Sequence, residues 1–154
     1  MINLNKKLMV EQLDRKLAKL HILKEIEVPS KGWINTIRTT LNMSLVQLAK
    51  RLKKTSVSVK EIEDREQNKT ITLKKLIEVG EALDLRLVYG FLPKESSIDK
   101  MIEKRAQQVA RKIVMRTSQT MKLEEQENSD ERLQQAIKDR AEILKQEMPK
   151  HLWN

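Results

Sequence analysis

The residues best equipped for chemistry in this chain are basic, and the chemistry they suit is attraction to an anionic polymer. Residues 29–75 hold 11 Lys or Arg against 4 Asp or Glu, net +7 in a chain whose total is +9. A patch of that density draws phosphate; the alternative is a solvated lysine-rich surface. Other chemistries find few residues. There is no cysteine, which excludes disulfides, zinc fingers and thiol catalysis and fits a reducing interior. His21 and His151 are far apart and have no ligand-like neighbours, so no metal or imidazole centre is expected. The aromatic residues Trp33, Tyr89, Phe91 and Trp153 are too scattered to form a stacking platform for single strands. No nucleophile–base pair and no phosphate-cradling glycine loop is visible, so neither an enzyme nor a cofactor is expected.

Helices must position the basic patch, because Gly and Pro number only 3 each and helix formers dominate. No apolar run approaches the roughly 18 residues of a membrane span. No apolar run follows Lys6-Lys7 either, so a signal peptide is not expected, and the expected location is cytoplasmic, at the nucleoid. Residues 4–26 read as an amphipathic helix through Leu4, Leu8, Leu13, Leu17, Leu20 and Leu23, ended by Pro29 and Gly32. A second helix over 33–41 should bury Trp33, Ile34, Ile37 and Leu41. Ser44 and Gln47 form a capping-box pattern before Leu45, Leu48, Ala49 and Leu52. Lys53-Lys54-Thr55 makes a polar turn, and Thr55 caps a helix through Val59 and Ile62. Thr72 caps a further helix with Leu73, Leu76, Ile77, Val79, Ala82 and Leu83.

Counted from Leu45, the apolar offsets of Leu48, Leu52, Val59 and Ile62, with a small residue at Ala49, fit two helices crossing closely as in a helix-turn-helix. Ser56, Val57, Lys60, Glu61 and Asp64 are then left outward, on the helix that enters the major groove in such motifs. A generic helical hairpin is the competing reading. At the turn, Lys53 stands where Gly is common, and a left-handed backbone there costs about 1 kcal/mol relative to Gly. Residues 85–92 alternate Leu85, Leu87 and Tyr89 with Arg86, Val88 and Gly90, which suits a short strand. No second strand is evident, so the same strand of another copy is the simplest partner; the alternative is an extended loop packed on the helices. Beyond Pro93, Ile98 to Ile113 and Leu133 to Met148 mark two more amphipathic helices, separated by the acidic stretch Glu124-Glu125-Gln126-Glu127 and a cap at Asn128-Ser129-Asp130-Glu131. The expected organisation is an N-terminal helix over 1–28, a helix-turn-helix domain over 29–94 and a helical extension over 95–154, in a mostly all-α fold.

Residues 32–92 resemble the Cro/phage-repressor (XRE) helix-turn-helix family. The wider string is similar to the bacterial family called mobile mystery protein A, through Gly32-Trp33-Ile34, Gln47-Leu48-Ala49-Lys50-Arg51-Leu52, Ile71-Thr72-Leu73-Lys74-Lys75-Leu76, Ala82-Leu83-Asp84, Leu87-Val88-Tyr89, Leu92-Pro93-Lys94, Met121 to Gln126 and Leu152-Trp153. The resemblance implies a lambda-repressor-like helix bundle. It also implies a DNA-binding regulator or antitoxin-like partner, encoded beside a protein with a Fic domain, a domain that transfers nucleotide groups onto proteins. The Gln that often opens the first motif helix in that family is Leu45 here. The base-reading positions map onto Ser56, Val57, Lys60 and Glu61. Lys60 can donate to guanine, Glu61 can accept from cytosine and Val57 can touch a thymine methyl. Lys31, Arg38, Ser44, Lys53, Lys54, Thr55 and Lys69 are the expected phosphate contacts.

The leading expectation is a homodimeric repressor on an inverted-repeat duplex operator of its own operon, with Leu85, Leu87 and Tyr89 in the dimer strand. The alternative is a protein-binding inhibitor whose helical tail blocks a toxic enzyme. The nearly neutral 95–154 region, ending in Leu152-Trp153, is the expected partner-binding part.

Overall fold

A computed structural model describes residues 3–123 and 130–154. The chain is mostly helical and divides into two compact units, Leu23–Gly90 and Met1–Ile22 with Phe91–Asn154. The N-terminal helix therefore belongs with the C-terminal helices and does not stand alone. The acidic stretch 124–127 and the first two residues of the expected cap, Asn128-Ser129, lie outside the described residues, whereas Asp130 and Glu131 open a helix. No helix among the described residues is long and apolar enough to cross a membrane.

The 23–90 unit contains four short helices: α2 (Trp33–Thr40), α3 (Leu45–Leu52), α4 (Ser56–Gln67) and α5 (Leu73–Ala82), preceded by α1 (Leu4–Ala18) of the other unit. Its core is Ile34, Leu48, Ala49, Val59, Ile62, Val79 and Leu83, with Leu45, Leu52, Leu76 and Ala82 packed against it. Every apolar position of the proposed helical joint is thus in one core. Trp33 and Leu41 are not; they stay 42% and 56% exposed, because α2 turns Ile34 and Ile37 inward.

The four helices end alike. Asn42, Lys53, Lys69 and Asp84 all take positive φ, between 53° and 62°. The next residue's amide reaches five residues back, as from Lys54 to the Ala49 carbonyl at 2.9 Å and from Thr70 to that of Arg65 at 2.8 Å. This is the Schellman closure, which satisfies orphan carbonyls and usually employs Gly at the left-handed position. Here no Gly is used.

The second unit packs α1 with α6 (Ile98–Leu123) and α7 (Asp130–Glu147). The two expected amphipathic stripes pack on each other. Ile102, Ala106 and Ala110 of α6 meet Ile137, Ala141 and Leu144 of α7, with Leu152 and Val10 in the same cluster. Asp14 of α1 accepts the amides of Ile98 and Asp99 at 2.7 and 3.1 Å, capping α6. Lys6 donates to the carbonyls of Glu147 and Met148 at the end of α7. These ties decide which side of α1 packs. Leu4, Leu8, Met9 and Leu13 remain exposed, and the helix stops at Ala18, short of the expected residue 26, giving way to a 3-10 turn over His21–Glu25.

Among the described residues there is no strand, which corrects the strand expected over 85–92. The Leu85 amide donates to the Gly80 carbonyl at 2.7 Å, and residues 86–93 then run without regular structure. A strand exists only through a neighbouring backbone, and one copy of this chain supplies none.

Candidate nucleic-acid interface

The site is built from three consecutive pieces, α3, its turn and α4. At the start of α3 the Ser44 hydroxyl accepts the Gln47 amide at 3.1 Å, and the Gln47 side chain accepts the Ser44 amide at 2.8 Å. The capping box is complete, so the helix start is defined by its own sequence. At the other end Lys53 sits at φ 55, ψ 45, the left-handed geometry expected of that position. Thr55 then caps α4 by accepting the Ser58 amide at 3.1 Å. Leu48 and Val59 are completely buried, and Ala49 is 3% exposed between the helices. The small side chain permits the close approach.

With Val59 and Ile62 turned inward, α4 presents its other face to solvent. Val57 is 68% exposed, Lys60 and Glu61 are exposed, and Ser56 is half-buried. The Lys60 ammonium lies 3.0 Å from the Asp64 carboxylate one turn on. Ser44, Lys53 and Thr55 are exposed beside this first turn. Lys54 is more covered, with its Nζ 3.9 Å from Glu78. Next to it, Lys75 donates to Glu78 at 2.9 Å. That bond raises the Lys75 pKa and lowers that of Glu78.

Lys31 and Lys69 are exposed but belong to the opposite end of α4. Gly32 follows Lys31, and Lys69 closes the C-terminus of the helix. Glu66 holds this end together by accepting the Trp33 and Ile34 amides, both at 2.8 Å. A Cβ on Gly32 would stand 2.8 Å from the Glu66 carboxyl carbon. Its φ of 86° favours glycine there, and a side chain would also push aside the Glu66 carboxylate that caps α2.

Arg38 is corrected. Its guanidinium points inward, with Nε 2.5 Å from Glu63 Oε1 and Nη1 donating to the Met43 carbonyl at 2.8 Å. Asn35 donates to the same carboxylate at 2.9 Å, and Glu63 is 2% exposed. A buried carboxylate needs a counter-charge and hydrogen-bond donors, and Arg38 supplies them in place of contacting phosphate. Sequence reasoning missed this Asn35–Arg38–Glu63 network because its members lie 25 and 28 positions apart.

The network also changes the electrostatics. Glu63 is neutralised inside, Glu66 is spent on two amides and Asp64 lies against Lys60. Three of the four acidic side chains in residues 29–75 are therefore occupied, while Lys53 and Lys69 stay exposed. No family model matches the chain, and no curated protein and no solved structure matches it.

Proposed function

We propose that the 23–90 unit is an XRE-type, lambda-repressor-like helix-turn-helix domain that reads duplex DNA with α4, in a homodimeric repressor. The observation that carries this reading is the choice of residue at two helix ends. Lys53 and Lys69 occupy left-handed positions at which Gly would relieve about 1 kcal/mol each. Both are solvent-exposed cations with no packing to gain from it. A local rule broken twice without structural return marks a functional demand, and phosphate neutralisation meets it, by Lys53 beside the exposed first turn of α4 and by Lys69 at the other end of that helix. The amides at the starts of α3 and α4 add donors on the Lys53 side.

The test is binding to duplexes with inverted half-sites about 34 Å apart, measured against salt. Lys53→Gly should lower the slope of log affinity against log salt by about 0.9, for specific and random duplex alike. Lys60→Ala should mainly flatten sequence preference. If neither variant differs from the parent on either duplex, the groove face is misassigned.

A second reading concerns the other unit, where Leu4 and Met9 of α1 are 75% and 63% exposed and Leu8 and Leu13 nearly half so. Exposed apolar side chains of this kind suit a protein partner, and the resemblance suggests a Fic-domain protein. Leu8→Lys with Leu13→Lys should abolish co-purification of that protein and leave operator binding intact. Retention of the partner would remove this reading.

A further inference from the structure

We propose that two copies of this chain pair through residues 86–90, antiparallel and centred on Val88, so that Tyr89 of each copy closes an apolar cavity on the other. This rests on the homodimer reading and adds the register and what fills the cavity.

Backbone polarity is the first ground. Among the described residues, the main-chain groups of residues 86–90 make no backbone hydrogen bond. One edge of the segment is closed. The Leu85 amide bonds to Gly80, and a Cβ on Gly80 would stand only 3.1 Å from the Leu85 carbonyl oxygen. In an extended chain alternate residues direct both polar groups to the same edge. With 85 facing α5, residues 86, 88 and 90 face the open edge.

The side chains are the second ground. A cavity of about 230 Å³ lies between α2, α5 and residues 85–88, lined by Trp33, Ile37, Leu76, Leu83 and Leu87 among others. Beside it Val88 is 60% exposed, Tyr89 66% and Trp33 42%. The projecting ring and the apolar hollow belong to the same stretch of chain. An isologous two-fold contact satisfies both at once, as no unrelated partner needs to.

The register follows from pairing rules. Directly opposed residues share a face, so the two-fold axis passes through a residue and not between two. Centring on Arg86 would set two guanidinium groups opposite each other, which is destabilising. Centring on Leu87 would call on the Asp84 amide, already bonded to Glu81. Centring on Val88 gives each of residues 86–90 an opposite number and engages all three open-edge residues. Val88 faces Val88 and Arg86 faces Gly90 in hydrogen-bonded pairs. Leu87 then faces Tyr89 at the closer non-bonded spacing, which brings the second copy's ring to the cavity mouth.

Because the chain has no cysteine, single cysteines report the register directly. In the full chain, Val88→Cys with oxidised glutathione should give a disulfide-linked dimer, since the hydrogen-bonded pair spacing of about 5.5 Å lies within disulfide range. Tyr89→Cys alone and Leu87→Cys alone should not cross-link, but a mixture of the two should. In a Trp153→Phe background, Trp33 emission should shift to the blue as concentration rises, and Tyr89→Ala should abolish the shift. Cross-linking by Tyr89→Cys alone overturns the register. A dimer in analytical ultracentrifugation that no cysteine captures overturns the interface but leaves the dimeric repressor standing. A monomer that binds operator overturns both.

Discussion

Leu48, Val59 and Ile62 fill the joint between α3 and α4, with Ala49 as its one small residue, whereas Ala106, Ala110 and Ala141 line the seam between α6 and α7. The helices differ to match. Those of the 23–90 unit are 8 to 12 residues long, too short to hold themselves in water. α6 and α7 run for 26 and 18 residues. The short helices depend on what is fastened at their ends: hydroxyl caps at Ser44, Thr55 and Thr72, Glu66 on α2, and four left-handed closures. They also enclose a charged pair. The long helices depend on close approach over their length, with exposed ion pairs such as that of Lys145 with Asp99 and Glu103 at the surface. Fixed short elements suit the duplex-reading role proposed for this surface, which would tolerate little local error.

The contrast is broken hardest at the buried pair. Glu63→Ala leaves Arg38 inside without its counter-charge, and loss of a buried partner costs about 3–5 kcal/mol. Lys145→Ala, at a pair whose side chains are one-third to one-half exposed, should cost under about 1 kcal/mol. Urea unfolding of both variants checks the difference. Equal losses would mean that the 23–90 unit does not depend on its internal pair.

Next in size is Ala110→Leu. Ala110 is wholly buried, and inserting methylenes into such a seam typically costs about 1–3 kcal/mol. Thermal unfolding should show this loss with duplex affinity unchanged. A neutral result would show that α6 and α7 can separate to admit the larger side chain.

Smaller and of opposite sign is Lys53→Gly, expected to raise stability by about 1 kcal/mol by relieving the left-handed backbone while weakening duplex binding. A variant both more stable and equally tight would remove the functional account of that lysine.

The smallest effect concerns Lys75 and Glu78. The Glu78 carboxyl is held below its ordinary 4.5 by the Lys75 hydrogen bond. Its contribution is complete above that value and disappears as pH falls through the lowered folded one. Lys75 is raised above 10.5 by the same bond, so its contribution is complete below 10.5 and disappears as pH rises through the raised folded value. The melting difference between the parent and Glu78→Gln should therefore be greatest near neutrality and vanish at both extremes. A difference independent of pH would trace instead to packing.

What the sequence determined by itself is what neighbouring residues decide between them. Ser44 with Gln47, Thr55 with the Ser58 amide and Thr72 with the Lys75 amide all act within four residues, so their geometry follows from local chemistry. The core offsets from Leu45 to Ile62 were legible for a related reason: helical periodicity fixes which side chains share a face. Tertiary structure decided the rest. It turned Arg38 from solvent to Glu63, brought Glu66 back to cap α2, and packed Val10 and Asp14 of α1 inward while Leu4, Leu8 and Leu13 stayed out. These choices depend on groups 25 or more positions apart meeting in space, and the same side chain serves surface or core according to who arrives. The segment after Leu85 marks the limit of both, since its alternation is written in the sequence but a strand needs a second backbone.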